Sequence, residues 1–425
     1  MVDYRKRIAD GLLQKKLQSK GAVLIEGPKW CGKTTTAEQA AASILYMDEP
    51  SRIRQNLIMA DTDPEALLEG VNPRLIDEWQ LAPKLWDTVR FSVDHKRSFG
   101  LYILTGSAVP ANTEEIHHTG TGRFSWLRMR PMSLYESGES SGDISLSELF
   151  DAPDTVVRGT ADLTLKKIAF LICRGGWPMA LDVPDDIALQ QAIDYYDAVV
   201  NEDISRVDGI RKDNVYTKRL MRSYARNQGG QVSIDTIVGD LSTNEGADSC
   251  SKTASNYIKA LKKIFVIEDM EAWNPNLRSK TAIRTSDTRY YVDPSIAAAA
   301  LGIGPGDLYE DLETMGLMFE TLAVRDLRVY ADALDATVYH YRDKSGLECD
   351  AVLQLRNGSY GLIEIKLGGD KLIEEGAASL KKLAEKIDTD KMKAPSFLMI
   401  LTANGNAAYR RTDGIIVAPI GTLKP

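Results

Sequence analysis

The stretch Gly21–Thr34 reads GAVLIEGPKWCGKT, and it decides the fold of the first third of the chain. Its opening six residues are largely apolar, as expected for a buried strand of a parallel sheet. This strand leads directly into Gly27–Thr34, which matches the pattern GxxxxGK[ST] at every fixed position, and an alanine-rich, helix-forming segment follows at Thr35–Ile44. The order strand, glycine loop and helix predicts an α/β unit.

The glycines of this loop let the backbone curl, so that its N–H groups point inward and can cradle phosphate oxygens. The N-terminus of the following helix adds partial positive charge. Lys33 can reach the β- and γ-phosphates of a nucleotide, and the Thr34 hydroxyl can ligate Mg²⁺. We therefore predict a site for ATP and Mg²⁺, with nucleotide-binding residues Gly27, Pro28, Lys29, Trp30, Cys31, Gly32, Lys33, Thr34 and Thr35.

Two further apolar strands end in polar residues that could complete this site. The segment Arg74–Gln80 reads RLIDEWQ, in which Asp77 would hold Mg²⁺ through water and Glu78 would polarise the attacking water. The next strand, LYIL, is followed by the hydroxyls of Thr105 and Ser107, which could sense the γ-phosphate or orient water. The alternatives are a strand that runs into a solvated acidic loop and a plain turn.

A glycine-rich segment with three arginines follows, and from Gly120 to Pro131 it reads GTGRFSWLRMRP. An arginine in such a place could stabilise charge in the transition state, from the same chain or from a neighbouring subunit. Arg123 is the preferred candidate, with Arg128 and Arg130 as alternatives. A solvated basic strand explains the same residues equally well. An arginine finger supplied in trans would make the protein an oligomer.

The segments GPKWCGKTT, LIDEWQ, LTGS and GTGRFSWLRMRPMSLYE resemble the AAA-type ATPase domain of a widespread prokaryotic family. In that family the domain is joined to a C-terminal domain of uncharacterised function, of the DUF4143 type, and the resemblance covers the whole chain. It implies an AAA+ fold that uses ATP and Mg²⁺. It also implies that Lys33 and Thr34 contact phosphate and metal, that Asp77 and Glu78 are the acidic pair, and that 105–107 act as sensor.

Composition narrows the remaining classes of function. With 425 residues the chain is expected to form two or three domains, and its net charge of −8 gives no global basic field for nucleic acid. Its four cysteines are scattered without a CxxC pair, which argues against a zinc site and a disulfide framework. No apolar run is long enough to cross a bilayer. We expect a cytoplasmic protein without a membrane partner.

The middle of the chain reads as mostly helical. Arg174–Pro178 is a sharp GGWP turn, and Asp194–Ile210 is a long amphipathic helix in which Asp203 and Arg206 are expected to make an ordinary i,i+3 contact. Two helices at Val232–Val238 and Thr253–Leu261 and a strand at Ile264–Glu268 then resemble a winged-helix unit. Its basic residues could lie on a DNA backbone, or on a plain solvated helix face, and they are Lys252, Lys259, Lys262 and Lys263.

The C-terminal quarter places acids and a lysine on a predicted hairpin. Asp350 lies near the start of one strand, Glu364-Ile365-Lys366 lies in its partner, and period-two geometry puts Glu364 and Lys366 on one face. Glu320, on the preceding helix, could complete a Mg²⁺ site for phosphodiester hydrolysis. The elements are a helix at Gly316–Ala331, strands at Thr337–Tyr341, Glu348–Leu355 and Tyr360–Ile365, a helix at Leu372–Ile387 and a strand at Ser396–Leu401.

This arrangement resembles the PD-(D/E)xK nuclease fold, with Cys349 in place of the usual proline before Asp350. The resemblance implies that Asp350, Glu364 and Lys366 are catalytic and that Glu320, Asp350 and Glu364 are metal ligands. A cross-strand ladder of salt bridges would need the same residue types, and relatives that share a fold need not share its chemistry.

Taken together, we predict an α/β protein with three parts. They are an AAA+ P-loop ATPase domain at 1–150, a helical middle with a possible winged helix at 151–310, and a PD-(D/E)xK-like α/β domain at 311–425. The leading hypothesis is an ATP-hydrolysing protein that acts on nucleic acid and whose last domain cuts or grips DNA. The alternatives are an ATP-controlled switch that binds DNA or protein through an inert nuclease-like domain, and an ATP-driven remodeller of protein partners.

Overall fold

The computed structural model describes residues 4–107, 118–207, 210–244 and 250–425. The chain forms two compact units. The N-terminal unit consists of Met1–Pro131, Ala198–Asp213 and Asn256–Val266, and the C-terminal unit consists of Met132–Asp197, Asn214–Ser255 and Ile267–Pro425. The three-part division at 150 and 310 stays a prediction. The structure adds that the chain returns twice to its N-terminal unit.

Helices and strands mix at the two ends of the described chain, while the helices from Leu165 to Ala333 follow one another without a named strand between them. The helices are α1 (Ile8–Leu17), α2 (Lys33–Ala40), α3 (Ile53–Thr62), α4 (Lys84–Lys96), α5 (Leu134–Ser137), α6 (Leu146–Asp151), α7 (Leu165–Arg174), α8 (Asp185–Ala198), α9 (Ile204–Arg206), α10 (Asn214–Arg226), α11 (Ile234–Asn244), α12 (Ser251–Lys263), α13 (Pro294–Leu301), α14 (Pro305–Glu310), α15 (Leu312–Ala333) and α16 (Asp370–Lys386). A π-helical turn, Val199–Asp203, joins α8 to α9. Within the described part of the chain, no helix is long and apolar enough to cross a membrane.

The N-terminal unit is built on a five-stranded sheet in the order β2-β3-β4-β1-β5, with all neighbouring strands parallel. Its strands are β1 (Ala22–Glu26), β2 (Ser43–Tyr46), β3 (Arg74–Asp77), β4 (Tyr102–Gly106) and β5 (Phe124–Arg128). The register sets Glu26, the last residue of β1, beside Gly106 of β4 and Arg128 of β5. The predicted polar residues at the carboxyl ends of β1, β3 and β4 therefore meet at one edge of the sheet.

Apolar side chains cover both faces of this sheet, because successive residues of a strand point to opposite faces. On one face Leu24 and Leu104 belong to a buried cluster with Trp86 of α4. On the other face Val23 belongs to a cluster with Leu13 of α1, which also includes a residue of α2. These two layers of helices fix the position of the loop between β1 and α2.

The C-terminal unit contains a seven-stranded mixed sheet in the order β7-β12-β13-β11-β10-β9-β8. Its strands are β7 (Gly159–Thr160), β8 (Ala336–Arg342), β9 (Glu348–Leu355), β10 (Tyr360–Lys366), β11 (Phe397–Thr402), β12 (Ala407–Arg410) and β13 (Ile416–Pro419), while β6 (Ile144–Ser145) pairs with β14 (Leu423–Lys424). Strands β8, β9 and β10 form an antiparallel meander, and β10 pairs in parallel with β11. Helix α16 packs on β9 and β10 through an apolar core that includes Leu380 and Leu383.

Three sequence predictions need correction. The helix predicted at Thr35–Ile44 ends at Ala40, because Ile44 lies in β2 and pairs with Leu75. The single helix predicted over Asp194–Ile210 is interrupted by the π-helical turn. The strand predicted at Ile264–Glu268 is reduced to one isolated bridge, between Ile267 and Tyr291.

The predicted helices and strands of the C-terminal quarter are confirmed to within a few residues as α15, β8, β9, β10, α16 and β11. The hairpin turn at 357–358 and the Gly346 turn fall where the sequence indicates them. The fold class, a mixed α/β protein with a parallel sheet and a strand-rich C-terminal part, is thus confirmed. The winged-helix interpretation of the two segments that form α11 and α12 stays a prediction.

Candidate functional site

The loop between β1 and α2 has the tight backbone that its glycines permit. Gly32 has φ 96°, and Trp30, which is not a glycine, has φ 65°. A Cβ atom on Gly27 would lie 2.0 Å from the Met129 carbonyl oxygen, so any other residue there would push the loop away from the chain that follows β5. The loop is therefore held close to the edge of the sheet, with the first turn of α2 directly behind it.

Asp77 ends β3 beside this loop and is almost fully buried. The Thr34 hydroxyl donates to its Oδ1 at 2.8 Å, and the Thr105 hydroxyl donates to the same oxygen. Burial raises the pKa of Asp77, although the two hydroxyl donors partly oppose that shift. Thr34 and Asp77 thus offer a hydroxyl and a carboxylate oxygen side by side. This pair fits Mg²⁺, which takes few protein ligands and fills its remaining positions with phosphate and water.

Glu78 follows in the left-handed conformation, with φ 54°. The Gln80 side-chain amide donates to Glu78 Oε2, and the Ser107 hydroxyl stands 3.4 Å from the same oxygen. Burial raises the pKa of Glu78 as well. The two hydroxyls predicted as a sensor therefore serve different acids, Thr105 for Asp77 and Ser107 for Glu78. Gln80 was missed by sequence reasoning although it stands inside the quoted LIDEWQ segment.

The lysines of the loop are bound within it or beside it. Lys33 is buried, and its Nζ donates to the Pro28 carbonyl oxygen at 2.7 Å. Lys29 Nζ lies 2.6 Å from Asp203 Oδ1, an ion pair that sequence spacing could not indicate. The other predicted nucleotide-binding residues differ in exposure: Cys31 is buried, Trp30 and Thr35 are exposed.

Arg123 and Arg128, two of the arginine candidates, lie at opposite ends of β5. Arg123 precedes β5 at the end where β5 begins beside Ala22, about 16 Å of strand away from the loop. Its Nε pairs with Asp94 Oδ1 of α4 at 2.6 Å. The structure therefore does not bring Arg123 to the phosphate-binding loop of its own chain, and its catalytic role stays a prediction. Arg128, at the other end, pairs with Glu26 at 3.2 Å.

Arg7 is a second residue that sequence reasoning missed. Its side chain is buried, and it donates through Nη1 to the Cys31 carbonyl oxygen at 2.8 Å and through Nη2 to the Arg130 carbonyl oxygen at 2.9 Å. One guanidinium thus ties the phosphate-binding loop to the chain that leaves β5. The basic N-terminus gave no signal for this role, because one arginine in YRKR looks like its solvated neighbours.

The C-terminal hairpin brings Asp350, Glu364 and Lys366 together. Lys366 Nζ lies 2.8 Å from Asp350 Oδ2 and 2.6 Å from Glu364 Oε2, and the Ile365 N–H donates to Asp350 Oδ2 at 2.7 Å. Burial works against the charged ammonium, but the two carboxylates raise the pKa of Lys366 above its usual value. Burial also raises the pKa of Glu364, whose Oε1 has no hydrogen-bond partner among the described residues.

Glu320 of α15 lies next to this cluster but is held by another group. The Tyr290 hydroxyl donates to Glu320 Oε1, and burial, followed by the charge of Asp350, raises the pKa of Glu320 to about 8. Among the described residues, no three acidic, histidine or cysteine side chains are arranged to hold a metal ion. The Lys366 ammonium lies between the Asp350 and Glu364 carboxylates, and the role of Glu320, Asp350 and Glu364 as metal ligands stays a prediction.

A cavity of about 780 Å³ opens beside the cluster, between it and helix α16. Glu364 and Lys366 line it together with Lys382 and Lys386. A Cβ atom on Gly376 would lie 3.4 Å from Glu364 Cβ and 3.7 Å from Lys366 Cε. The glycine therefore lets α16 approach the cluster closely while it leaves the cavity open.

Comparison with known protein families identifies two of the predicted domains. Residues 19–138 match the AAA domain family (AAA_14), which confirms an AAA-type ATPase domain, and residues 315–423 match a domain of unknown function, DUF4143. The predicted combination of these two domains is thus confirmed. Residues 165–307 match another domain of unknown function, DUF8612.

Two curated relatives and two solved structures are similar to this chain. The uncharacterized proteins Rv2008c of Mycobacterium tuberculosis and Mb2031c of Mycobacterium bovis are each 23% identical over 367 residues, which is 85% of this chain and 74% of theirs. The Walker-type ATPase PABY2304 of Pyrococcus abyssi has a TM-score of 0.42 at 13% identity, over 70% of this chain and 96% of that one. The Hef helicase domain of Pyrococcus furiosus has a TM-score of 0.21 at 11% identity, over 97% and 95%.

Proposed function

We propose that the protein binds ATP with Mg²⁺ in its N-terminal unit and hydrolyses it there. One observation carries this proposal: the Thr34 hydroxyl, on the helix that follows the phosphate-binding loop, donates to the Asp77 carboxylate at 2.8 Å, with Glu78 as the next residue. Metal ligand and water-polarising acid thus stand side by side where the γ-phosphate would lie. Bound Mg²⁺ would neutralise charge on the β- and γ-phosphates.

Each residue of this edge then has a task. The loop N–H groups and the α2 N-terminus bind phosphate oxygens, and Lys33 leaves the Pro28 carbonyl for the β- and γ-phosphates. Thr34 and Asp77 would hold Mg²⁺. Glu78 accepts a hydrogen bond from the attacking water and orients it, and Gln80 and Ser107 fix the carboxylate of Glu78.

ATP binding and turnover with purified full-length protein test this proposal. Lys33→Ala should abolish both, because the charge that meets the phosphates is lost. A matched control is Lys371→Ala, since the Lys371 side chain is 87% exposed and lies on α16. Turnover by the Lys33→Ala protein at the wild-type rate would overturn the proposal.

A second candidate function concerns the C-terminal unit. We propose that it grips nucleic acid at the cavity beside α16 and does not cut it. Two observations support this proposal. Lys366 already neutralises Asp350 and Glu364. Lys382 lines the same cavity, is exposed, and forms no ion pair with an acid among the described residues. This combines the DNA-gripping hypothesis with an inert nuclease-like domain under ATP control.

Linear and supercoiled DNA, with Mg²⁺ or Mn²⁺ and with or without ATP, would test this second function. We expect binding that weakens as salt rises and that Lys382→Ala reduces, without strand cleavage. Lys371→Ala serves again as the matched control. Cleavage that Asp350→Ala and Lys366→Ala abolish would instead establish a nuclease. Absence of any DNA binding would leave the domain as a module for protein partners.

A further inference from the structure

The segment Asp203–Arg206 reads DISR, and the chemistry above makes no use of it. The i,i+3 contact expected between its aspartate and its arginine is not made. Arg206 pairs with the neighbouring Glu202 at 2.7 Å on the exposed surface. Asp203 instead lies against the phosphate-binding loop, with its Oδ1 atom 2.6 Å from Lys29 Nζ.

The local backbone explains why Asp203 and Arg206 separate. Asp203 ends the π-helical turn Val199–Asp203, and such turns shift the face on which the following side chains lie. Val199, Val200 and Ile204 of the same stretch are buried and anchor it in the N-terminal unit. The Asp203 side chain is only 10% exposed, so its carboxylate needs a partner, and Lys29 supplies it.

Lys29 is the third residue of the loop whose N–H groups would surround the phosphates, so its ammonium lies close to where their charge would be. Its side chain is 42% exposed, which leaves it free to move between partners. Two anions therefore compete for one cation: the fixed carboxylate of Asp203 and the incoming polyphosphate. Because the Lys29 end of the pair is open to solvent, its attraction to Asp203 is screened, and a polyphosphate of higher charge can compete for it.

We propose that Asp203 is a positioning residue of the nucleotide site, which holds Lys29 when ATP is absent and yields it to the β- and γ-phosphates when ATP binds. The inference rests on the proposed ATP site and adds its regulation. When ATP binds, segment 198–213 would lose its ion pair with Lys29, so the segment would differ between the free and the ATP-bound protein. That segment is continuous at both ends with chain of the C-terminal unit.

A double-mutant cycle on nucleotide affinity tests this inference. A fluorescent ATP analogue and its ADP counterpart, each with Mg²⁺, would be titrated into wild-type protein, Asp203→Asn, Lys29→Met and the double variant. Asp203→Asn should bind ATP about two- to fivefold more tightly, because its amide competes poorly for Lys29, and ADP should gain less. In the Lys29→Met background the same substitution should have no effect. Glu202→Gln, which removes the adjacent exposed carboxylate, should bind as wild type does.

Several results would overturn the inference. They are an unchanged or weaker ATP affinity in Asp203→Asn, or an equal effect of that substitution with and without Lys29. Lys29→Met gives an independent arm if Asp203→Asn does not fold, since it should weaken ATP binding more than ADP binding, and equal weakening would contradict the proposal. If wild-type protein binds ATP without hydrolysing it, the proposed hydrolysis is refuted. The double-mutant cycle still tests the role of Asp203, because it measures affinity alone. Absence of ATP binding would overturn both.

Discussion

The protein contains two groups of two acids and a lysine, and they are stabilised in opposite ways. At the phosphate-binding loop, Asp77 and Glu78 accept hydrogen bonds from neutral donors, while Lys33 donates to a carbonyl oxygen. In the hairpin, Lys366 lies between Asp350 and Glu364 and neutralises them. Neutral donors leave the negative charge for a cation from outside, whereas an internal ammonium takes that place. Residue types alone therefore do not define a metal site, and the charge of the nearest donor decides.

The largest expected effect breaks the first group. Glu78→Gln keeps the size of the side chain but removes the acceptor that orients water, so ATP turnover should fall about 10²- to 10³-fold while ATP affinity stays within a few-fold. Single-turnover hydrolysis and a binding titration would separate the two. Asp63→Asn, an exposed acid outside the loop, is the control. An equal loss of affinity and turnover would contradict a role for Glu78 in the chemical step.

The second prediction converts one group into the other. Lys366→Met removes the internal cation and leaves the buried Glu364 carboxylate and the partly buried Asp350 carboxylate without it, which should lower the free energy of unfolding by about 3 kcal/mol. Added Mn²⁺ should recover part of the loss, since the place between the carboxylates is then open. Thermal unfolding with and without Mn²⁺ measures both effects.

Wild-type protein and Lys371→Met should show no such dependence on Mn²⁺ in the same unfolding experiment. A Lys366→Met protein whose melting temperature does not respond to Mn²⁺ would show that removing the lysine is not enough to create a cation site, and the contrast between the two groups would then need another cause.

The third prediction concerns Arg7, which holds the phosphate-binding loop of the first group in place. Arg7→Met leaves the carbonyl oxygens of Cys31 and Arg130 without a charged donor, so the protein should lose about 2 kcal/mol of stability and its KM for ATP should rise several-fold. Arg7→Lys should recover part of both. Chemical denaturation and steady-state kinetics would show this. A stability loss with KM unchanged would limit Arg7 to holding the fold.

The smallest effect concerns pH. The pKa of Glu320 is raised to about 8, above the value of about 4.5 expected in the unfolded chain, so the folded state binds the extra proton between those values. Stability should therefore fall as pH rises from about 4.5 to 8 and level off above. Glu320→Gln should remove this slope, which for one extra bound proton is on the order of 1 kcal/mol per pH unit. Denaturation at a series of pH values measures it, and parallel curves for both proteins would contradict the shift.

The sequence allowed prediction of whatever is local. The loop Gly27–Thr34 and the strands around Asp350 and Glu364 could be predicted because their signals, a fixed motif and a period-two hairpin, lie within a few residues. The end of α2 was placed too late, since alanine-rich helix propensity competes with the pairing of Ile44 in β2, and that pairing depends on a distant strand.

Long-range partners account for what was missed. Arg7 contacts a residue 123 positions away, and Lys29 contacts one 174 positions away, and neither spacing carries a periodic signal. Arg123 was favoured for its place after glycines, but the parallel register of β5 puts it at the other end of the sheet. The ExK spacing is the same in a metal site and in a cross-strand salt-bridge ladder. Only the side-chain distances show whether Lys366 lies beside a metal ion or takes its place.

The three-segment composition of the N-terminal unit has a consequence for synthesis on the ribosome. The loop and its acids are complete once residue 131 has emerged, but Asp203 arrives 72 residues later and the last segment ends at Val266. A nascent chain would thus expose a finished phosphate-binding loop well before the carboxylate that holds Lys29. A fragment cut at residue 150 would lack both later segments of the unit, and with them the carboxylate that holds Lys29.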